Sequence, residues 1–519
     1  MDYKLMLLLL YFGAVVWLSS AQHENIPYED VKDICEKCVC LTAHDSDKRY
    51  HHLLSCTSKR FKHILARWPT EFGKNHDNVD IVATFSYNNI ELLQQLPATD
   101  AQLTFSCRHC GIKDLQEPTF IDVPNIRRLD LSWNEITSEV LTPGVFRGPF
   151  QLTHYEHIEL VDLDLSHNKL HTLDKKVFEH TPNLTKLNLS YNDLKVLNEL
   201  TVLALTSVTG LQELDLSHTA IKSVSMSIFK SLVNLRILNL ADNELTRVPD
   251  KLQLIGRSLI SINLAQNPIE RFTEDSFIGL KSLQNLNISY MPVLKTIGKG
   301  VFTRLETLRH LDCAYNAKLT EFDMGSLLYS SNLTDLDLSH CALTTILLFV
   351  NITDESKTNV TARPWTHLHT FKISGNPWYC SCSLIQTLEH IGAQQSNADT
   401  PPRCDTPYFL AGTIIPNLTS QEICNLKIPK KIVIEEEEPP KFLRKRYIVL
   451  TFITAAVVVS IGVMLGFAIA GIRRRLKRND FGIEPIRYTS VRSSNLSAFS
   501  NGNTNSIVVK GNGAANDNV

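Results

Sequence analysis

Cysteines carry the clearest potential chemistry in this sequence. Eight of the twelve fall into two clusters of four, and the first cluster has the spacing C-x2-C-x-C-x15-C. The clusters are Cys35, Cys38, Cys40 and Cys56, then Cys380, Cys382, Cys404 and Cys424. Such groups form disulfides or hold zinc, and a zinc site at the first cluster could use His44, His51 and His52. Spacing alone allows three disulfide connectivities within each set.

The N-terminus favours the disulfide interpretation. Lys4 precedes a continuous apolar run from Leu5 to Trp17, and Ser19-Ser20-Ala21 supplies the small residues that a cleavage site needs. These features predict a signal peptide over residues 1–21, with cleavage before Gln22. An exported chain enters an oxidising compartment, so we expect its clustered cysteines to form disulfides rather than to bind zinc.

An internal repeat occupies the chain between the two cysteine clusters. The template L-x-x-L-x-L-x-x-N-x-L fits residues 126–136, 160–170, 184–194, 211–221, 235–245, 259–269 and 333–343. Further copies start at Leu283, Leu308 and Leu368, and weaker copies end near Ile90 and Ile112. A phenylalanine also stands six residues before the start of the next copy, at Phe120, Phe178, Phe229, Phe277 and Phe302. We expect about twelve units over residues 80–376, each a short strand with a convex loop, stacked around one shared core.

The asparagine of the template has a structural task, because its amide can satisfy backbone groups that the turn would otherwise bury without partners. It is present as Asn134, Asn168, Asn192, Asn243, Asn267, Asn316 and Asn376. Thr219 and Cys341 can replace it in part, whereas Met291 cannot, so we expect local irregularity near Met291.

Four cysteines lie within the repeats. Cys107 and Cys313 occupy a leucine position, and Cys110 and Cys341 occupy the asparagine position. Free cysteine is among the most buried residue types, so we expect four small core residues. A bridge between Cys107 and Cys110 is the less favoured alternative.

Two series of side chains are candidates for binding. Residues between the leucines of L-x-L face the concave side and form a ladder of Asp130, Asp164, Asn188, Asp215, Asn239, Asn263, Asn287, Asp312, Asp337 and Lys372. The ladder either solvates an exposed sheet or offers an acidic surface to a basic partner. Just before the template asparagine, aromatic residues and histidines recur as Trp133, His167, Tyr191, His218, Tyr290, Tyr315 and His340. They are either interface anchors or residues that the repeat commonly carries.

These repeats and clusters resemble the leucine-rich-repeat family, in the subclass with phenylalanine-marked repeats found in Toll-type ectodomains, Slit and neuronal surface receptors. The resemblance covers about residues 35–424. It implies an α/β solenoid with a curved parallel sheet, convex loops and short helices, closed by an N-terminal cap (35–56, within a region 22–79) and a C-terminal cap (377–424). By the same resemblance, Cys35 pairs with Cys40, Cys38 with Cys56, Cys380 with Cys404 and Cys382 with Cys424.

A second apolar run covers residues 447–472 without a charge. As a helix it would extend about 39 Å, which exceeds a hydrocarbon core of about 30 Å, so a transmembrane helix is favoured over a buried core helix. With the signal peptide it predicts a single-pass type I plasma-membrane protein with a linker at 425–446 and a cytoplasmic tail at 473–519. The four-residue spacing of Gly462, Gly466 and Ala470 predicts weak self-association of this helix, and a monomeric helix is the alternative.

The tail is rich in Ser, Asn and Gly and has too few apolar groups for a core, so we expect it to be disordered. It has no room for a kinase or a Toll-type signalling domain. Asp517 and the terminal Val519 resemble an acidic-type PDZ ligand, although an end that binds nothing is the alternative. Tyr488-Thr489-Ser490-Val491 resembles a tyrosine-based internalisation signal.

Seven N-x-[ST] sequons lie in the part expected outside the cell, at Asn183, Asn188, Asn287, Asn332, Asn351, Asn359 and Asn417. Asn188 and Asn287 belong to the ladder, where glycans would obstruct the concave surface. Asn351 and Asn359 lie in a long insertion before the last repeat, which we expect to be an exposed loop.

The functional expectation is recognition rather than catalysis. No segment combines a nucleophile with a base, a phosphate loop or an open metal site, so we expect no enzyme activity, no cofactor and no nucleic-acid partner. We expect a cell-surface recognition or adhesion receptor whose solenoid binds an extracellular protein ligand or a receptor ectodomain. The alternative is a co-receptor or regulator of a soluble ligand or neighbouring receptor, including innate-immune-type recognition.

Overall fold

A computed structural model describes residues 34–44, 49–70, 72, 79–346, 365–392 and 400–426, together with Ser460, Met464 and Ile469. In this part of the chain, one sheet of fourteen strands dominates, and its strands follow one another in chain order. The first two strands form an antiparallel hairpin, and all later neighbours are parallel. The strands are Val39–His44, Tyr50–Ser55, Val79–Thr84, Gln102–Ser106, Ile126–Asp130, Asp162–Asp164, Lys186–Asn188, Glu213–Asp215, Ile237–Asn239, Ser261–Asn263, Asn285–Asn287, His310–Asp312, Asp335–Asp337 and Thr370–Lys372.

The three-residue strands share one alternation of burial. In Asp162–Asp164 the central Leu163 is buried and both aspartates are partly exposed. Successive side chains of a strand point to opposite faces, so each strand turns its template leucine into the core and its neighbours to the concave surface. This arrangement confirms the predicted solenoid built on a parallel sheet.

The template asparagines close the turn after each strand. Asn168 is buried, its Nδ2 donates to the carbonyls of Leu131 and Leu165 at 3.0 Å, and its Oδ1 accepts from the backbone N–H of Ile136 at 3.0 Å. The predicted role is thereby confirmed, and the other six asparagines make equivalent bonds. Asn88 does the same in a weaker repeat, where its Nδ2 donates to two carbonyls.

The expected irregularity near Met291 is wrong for the sheet. The strand pairs on both sides of it keep their register. The reason is that Asn267 and Asn316 on the flanking repeats each donate to a backbone carbonyl that a template asparagine at 291 would also have reached. The Met291 N–H in turn donates to Asn316 Oδ1 at 2.7 Å.

The core is one continuous row of apolar layers. The template leucines and the five marking phenylalanines are buried. Neighbouring phenylalanines contact one another, with ring centroids 6.0 Å apart for Phe277 and Phe302 and 6.2 Å for Phe302 and Phe322. A lone repeat could not bury these groups, so stacking of neighbours supplies the core.

The segments between the strands carry short elements. Within the described residues they hold the α-helices Glu199–Ser207 and Met226–Ser231, and the 3-10 helices Pro143–Phe146, Leu252–Ile255 and Met324–Leu327. Parallel two-residue strands pair Leu92–Leu93 with Asp114–Leu115 and Thr296–Ile297 with Glu321–Phe322. The long unit before Asp162–Asp164 also contains an antiparallel hairpin, Phe150–Gln151 with His154–Tyr155, whose tip residue Leu152 is 96% exposed.

Cysteine-stapled caps cover the two ends of the solenoid. The N-terminal cap consists of the 3-10 helix Ile34–Glu36 and the first hairpin of the sheet. The C-terminal cap contains the helices Cys382–Ile391 and Ser420–Asn425, the 3-10 helix Ile415–Asn417, and the strand pair Trp378–Tyr379 with Cys404–Thr406. Trp378 is buried beneath this cap, where its Nε1 donates to the Ile373 carbonyl at 2.8 Å.

The disulfides in the caps are Cys35–Cys40, Cys38–Cys56, Cys380–Cys404 and Cys382–Cys424. These are the four pairs that the family resemblance implies. Because the sulfurs of the first cluster are used in disulfides, they cannot act as zinc thiolates.

The favoured expectation for Cys107 and Cys110 is wrong in one respect, since both are buried but joined by a disulfide. The turn after the strand brings the leucine position and the asparagine position of one repeat close enough for this bond. Cys313 and Cys341 are buried free thiols, as expected, and burial raises the pKa of Cys341 to about 12.

The chain divides into two compact units, residues 1–426 and 427–519. In the second unit the described residues are Ser460, Met464 and Ile469, which are helical and exposed. Among all described residues, no helix has both the length and the apolar character needed to cross a membrane. The predicted signal peptide, transmembrane helix and tail motifs lie outside the described residues, apart from those three positions.

Candidate recognition surface

The ladder side chains bond to their own strands and to one another. Asp130 Oδ1 accepts from the backbone N–H of Ser132 at 2.9 Å, and this bond to the residue two positions later recurs along the ladder. Between rungs, Asn188 Nδ2 donates to Asp164 at 3.1 Å, and Lys372 forms an ion pair with Asp337 at 3.1 Å. The ladder therefore has a structural role whether or not it binds a partner.

Six rings form a continuous stack that runs across successive repeats, just after the C-terminal ends of the strands. We call this stack the aromatic stripe. It consists of Tyr87, His109, Trp133, His167, Tyr191 and His218. The centroids of successive rings are 5.0, 4.6, 3.6, 3.8 and 3.8 Å apart. The structure thus brings together four residues that the sequence marks as candidates and joins them to two that it does not.

A second, shorter stack follows after a break of two repeats. Tyr290, Tyr315 and His340 are stacked with centroids 4.6 and 4.5 Å apart, and we call them the C-terminal stripe. Asp242 and Gln266 occupy the two repeats between the stripes, and Asp242 Oδ2 lies 2.5 Å from His218 Nδ1.

Every residue of both stripes has a left-handed backbone, with φ between 52° and 60°. This conformation costs a residue other than glycine roughly 1–2 kcal/mol. Stacking of an aromatic pair returns about 0.5–1.5 kcal/mol. Glycine would remove the cost, and the chain has a glycine at this position in its last repeat, Gly375. Asp242 and Gln266 have the same conformation at the equivalent positions, with φ of 50° and 60°, so the turn of the repeat imposes it.

Burial shifts the pKa of one histidine and two aspartates on this surface. Burial, reinforced by the charge of Arg108, lowers the pKa of His167. Burial raises the pKa of Asp162 and of Asp312, and the neighbouring Asp337 adds to the effect at Asp312. The charged forms of these two carboxylates are therefore disfavoured by their partial burial.

Tyr87 and His109 are the residues that sequence reasoning missed. Each directly precedes the asparagine position of a weak repeat, occupied by Asn88 and Cys110. Aligning the weak repeats by that position, rather than by their leucines, would have found both.

The sequons occupy different parts of the solenoid. Asn183, Asn332 and Asn417 are exposed, whereas Asn188 and Asn287 are partly buried in the ladder. Asn351 and Asn359 lie outside the described residues. Asn183 and Asn332 lie just before their strands, whereas the residues of the stripes lie just after the strands. Glycans at these two positions would therefore leave both stripes accessible.

These features define a class of protein, a disulfide-capped solenoid of leucine-rich repeats. Family models agree with this assignment over parts of the chain. A leucine rich repeat model matches residues 158–209 and 209–256, a second one matches 124–139, and the BspA type leucine rich repeat region (6 copies) matches 255–350.

Sequence relatives also support the assignment to leucine-rich repeats. The chain is 26% identical to mouse (Mus musculus) CD180 antigen over 348 residues, which cover 64% of this chain and 44% of that protein. It is 32% identical to Bos taurus Toll-like receptor 4 over 131 residues, which cover 25% of this chain and 14% of that one. The chain thus spans less than half the length of these relatives.

Among solved structures, a chain in the octameric complex of Latrophilin 3, Unc5D and FLRT2 is similar, with a TM-score of 0.42 and 18% identity. The match covers 73% of this chain and 97% of that chain. Residues 124–139 and 158–350 of this chain therefore match leucine-rich-repeat models, and the chain is similar to CD180 antigen and Toll-like receptor 4.

Proposed function

We propose that this chain is a cell-surface recognition receptor that binds a protein partner through the concave side of its solenoid, and that it is not an enzyme. The observation that carries the proposal is the aromatic stripe, which places six stacked rings in consecutive repeats. Tyr87 is 53% exposed and Tyr191 is 44% exposed. Exposed aromatic side chains are the usual anchors of protein interfaces.

Placement at the plasma membrane rests on sequence. The signal peptide at 1–21 and the apolar run at 447–472 support a type I orientation with the repeats outside. The names of the relatives, an antigen and a Toll-like receptor, support a receptor class for the repeats.

The test is a binding screen. Cells displaying the full-length chain are exposed to a library of secreted proteins and receptor ectodomains, and each binder is tested again on variants. We expect Tyr87→Ala with Tyr191→Ala to weaken binding at least tenfold, because interface aromatics often contribute 2 kcal/mol or more, roughly thirtyfold in affinity. The matched control is Tyr329→Ala with Tyr408→Ala, two exposed tyrosines outside both stripes. Equal binding by the stripe variant and the control would contradict the proposal.

The same cells separate two receptor classes. An adhesion receptor makes displaying cells aggregate with cells that carry its partner. A co-receptor or regulator instead captures a soluble ligand, or a neighbouring receptor on the same cell, without aggregation.

Three further proposals rest on sequence patterns. They are glycans at the exposed sequons, weak pairing of the helix through Gly462, Gly466 and Ala470, and capture of the terminal Val519 by a PDZ-type adaptor. Fusing residues 473–519 to a bait, with and without Val519, tests the last of these. Partners that survive the deletion unchanged would rule out carboxylate capture.

A further inference from the structure

We propose that the concave sheet face holds an extended, basic segment of the protein partner, lying along the solenoid between the aromatic stripe and the ladder. This inference rests on the proposed function and adds the shape and the charge of the segment that is bound.

The sheet face forms a groove there, because one small residue per repeat separates the ladder from the stripe. These floor residues are Ser132, Ser166, Ser190, Ser217, Ala241, Ala265, Ser289, Ala314, Ser339 and Ser374. All ten are buried, with exposures between 3% and 9%. One wall is the row of rings and the other is the row of Asp and Asn side chains. No side chain in this row is large enough to fill the groove.

The dimensions favour an extended chain. Ten rungs at about 4.8 Å extend roughly 43 Å, which is the length of about thirteen extended residues. From ladder to stripe the groove is three residues wide, which is at most about 10 Å between Cα positions because the turn after each strand is shorter than an extended chain. An α-helix with its side chains is about 10–12 Å across, so it would not reach the floor.

The charge of the wall favours a basic occupant. Asp130, Asp164 and Asp215 lie beside the aromatic stripe. Asp312 lies beside the C-terminal stripe, as does Asp337, which already pairs with Lys372 at 3.1 Å. Neutral asparagines occupy the middle, and Lys372 is the one basic residue of the ladder. Basic residues of the segment are therefore expected at its two ends.

Other charges near the groove are compensated within the chain. A second row of concave residues lies two positions before the ladder. There, Lys186 pairs with Glu213 at 2.7 Å, and the charge of Arg128 favours the charged form of the Asp162 carboxylate. Arg108 lies 5.8 Å from the ring of Trp133, so a guanidinium is already accommodated beside the stripe. Burial raises the pKa of Asp312, and a cation in the groove would stabilise its charged form.

The test uses the full-length chain displayed on cells, with fluorescent twelve-residue peptides of alternating Arg and Ser or of alternating Glu and Ser as probes. Asp164→Asn and Asp215→Asn remove two charges, and each is combined with alanine at the serine two positions later, Ser166→Ala and Ser217→Ala, so that no N-x-[ST] sequon is created. The fold is expected to persist, because the chain already has asparagine followed by alanine at these positions in Asn239 with Ala241 and in Asn263 with Ala265. The matched control is Asp275→Asn with Asp405→Asn, two exposed aspartates outside the groove. We expect about tenfold weaker binding of the Arg peptide for the groove variant only.

A second variant, Ser190→Leu, fills the groove without changing its charge and should also abolish binding, with thermal unfolding as the check on folding. Equal effects of the groove and control variants, or equal binding of the Glu peptide, would overturn the proposal. A glycan found on Asn188 by mass spectrometry would also overturn it, because the sugar would occupy the groove. With a natural partner, loss of binding in the stripe variant but not in the groove variants rejects the groove and keeps the proposed function. Unchanged binding in all of them rejects both.

Discussion

At the scale of single residues, one asparagine side chain ties each turn to the repeats beside it. Asn168 bonds to a carbonyl 37 positions earlier in the chain. Its neighbours Asn134 and Asn192 reach the same carbonyls that it does, so the carbonyls have more than one donor. The N–H of Ile136 has Asn168 Oδ1 as its acceptor and is buried.

Loss of that acceptor predicts a measurable destabilisation. Asn168→Ala should lower the free energy of unfolding by about 2 kcal/mol, because a buried N–H without an acceptor costs roughly 1–3 kcal/mol. Thermal unfolding of the purified chain measures this effect. Asn234→Ala is the control, since that side chain is exposed and makes one bond, to the Thr209 carbonyl. Equal shifts in the two variants would argue against the turn role.

The stripe predicts a pH dependence of stability. Burial and the charge of Arg108 lower the pKa of His167, which stacks between Trp133 and Tyr191. The neutral imidazole is therefore favoured by folding. Its contribution is fully present above an unfolded pKa of about 6.5 and is lost as the pH falls through the lowered folded value.

We therefore expect the unfolding temperature to fall less between pH 7.5 and pH 5.5 in His167→Phe, which keeps a ring in the stack, than in the parent chain. His369→Phe, at an exposed position, is the control and should behave like the parent. An identical pH response in all three chains would show that His167 does not contribute.

At the scale of elements, the caps decide whether the ends of the solenoid are closed. The Cys382–Cys424 bond joins the start of helix Cys382–Ile391 to helix Ser420–Asn425 across 42 positions. Helix Ser420–Asn425 has a capping box in which Thr419 and Glu422 satisfy each other's backbone N–H groups. The Ser420 N–H also donates to Glu389 Oε1 at 2.7 Å, so the disulfide and this hydrogen bond together are expected to hold the two helices in the cap.

Removing this bond should prevent export. Loss of a disulfide from a small secreted domain costs roughly 2–5 kcal/mol, so Cys382→Ser should remain inside the cell. Cys341→Ser, which changes a buried free thiol in the repeats, should be milder. Surface biotinylation compares the two variants, and normal display of Cys382→Ser would refute the essential role of the cap.

At the scale of the whole molecule, the proposed function needs a membrane anchor beyond the solenoid. The apolar run at 447–472 is the sequence feature predicted to supply it, and charged residues flank it on both sides. Anchoring and binding are separate properties of the chain, so they must be tested separately.

Deletion of residues 447–472 should release the protein into the medium in a glycosylated form, because the signal peptide would still direct export. Immunoblotting of medium and cells, before and after enzymatic removal of N-glycans, measures this. Replacing the same segment by an unrelated membrane-spanning helix is the control and should restore retention at the surface. Retention of the deleted form inside intact cells, without glycans, would contradict the type I orientation.

The sequence by itself determined the repeat, the residues of the core and the candidate rows. Leucine, phenylalanine and asparagine recur at fixed spacing because each unit must meet the same local requirement, and the spacing of the cap cysteines matched a known pattern. Each of these signals lies within one or two neighbouring repeats, where spacing along the chain and position in space agree.

The tertiary structure alone decided how those residues combine. The length of the aromatic stripe, including Tyr87 and His109, depends on the ring orientation in six adjacent repeats, which spacing does not specify. The Cys107–Cys110 bond and the regular sheet at Met291 likewise depend on how close neighbouring backbones come and on which donor reaches a shared carbonyl. Such contacts are many-body results of packing, so they appear only when the repeats are assembled.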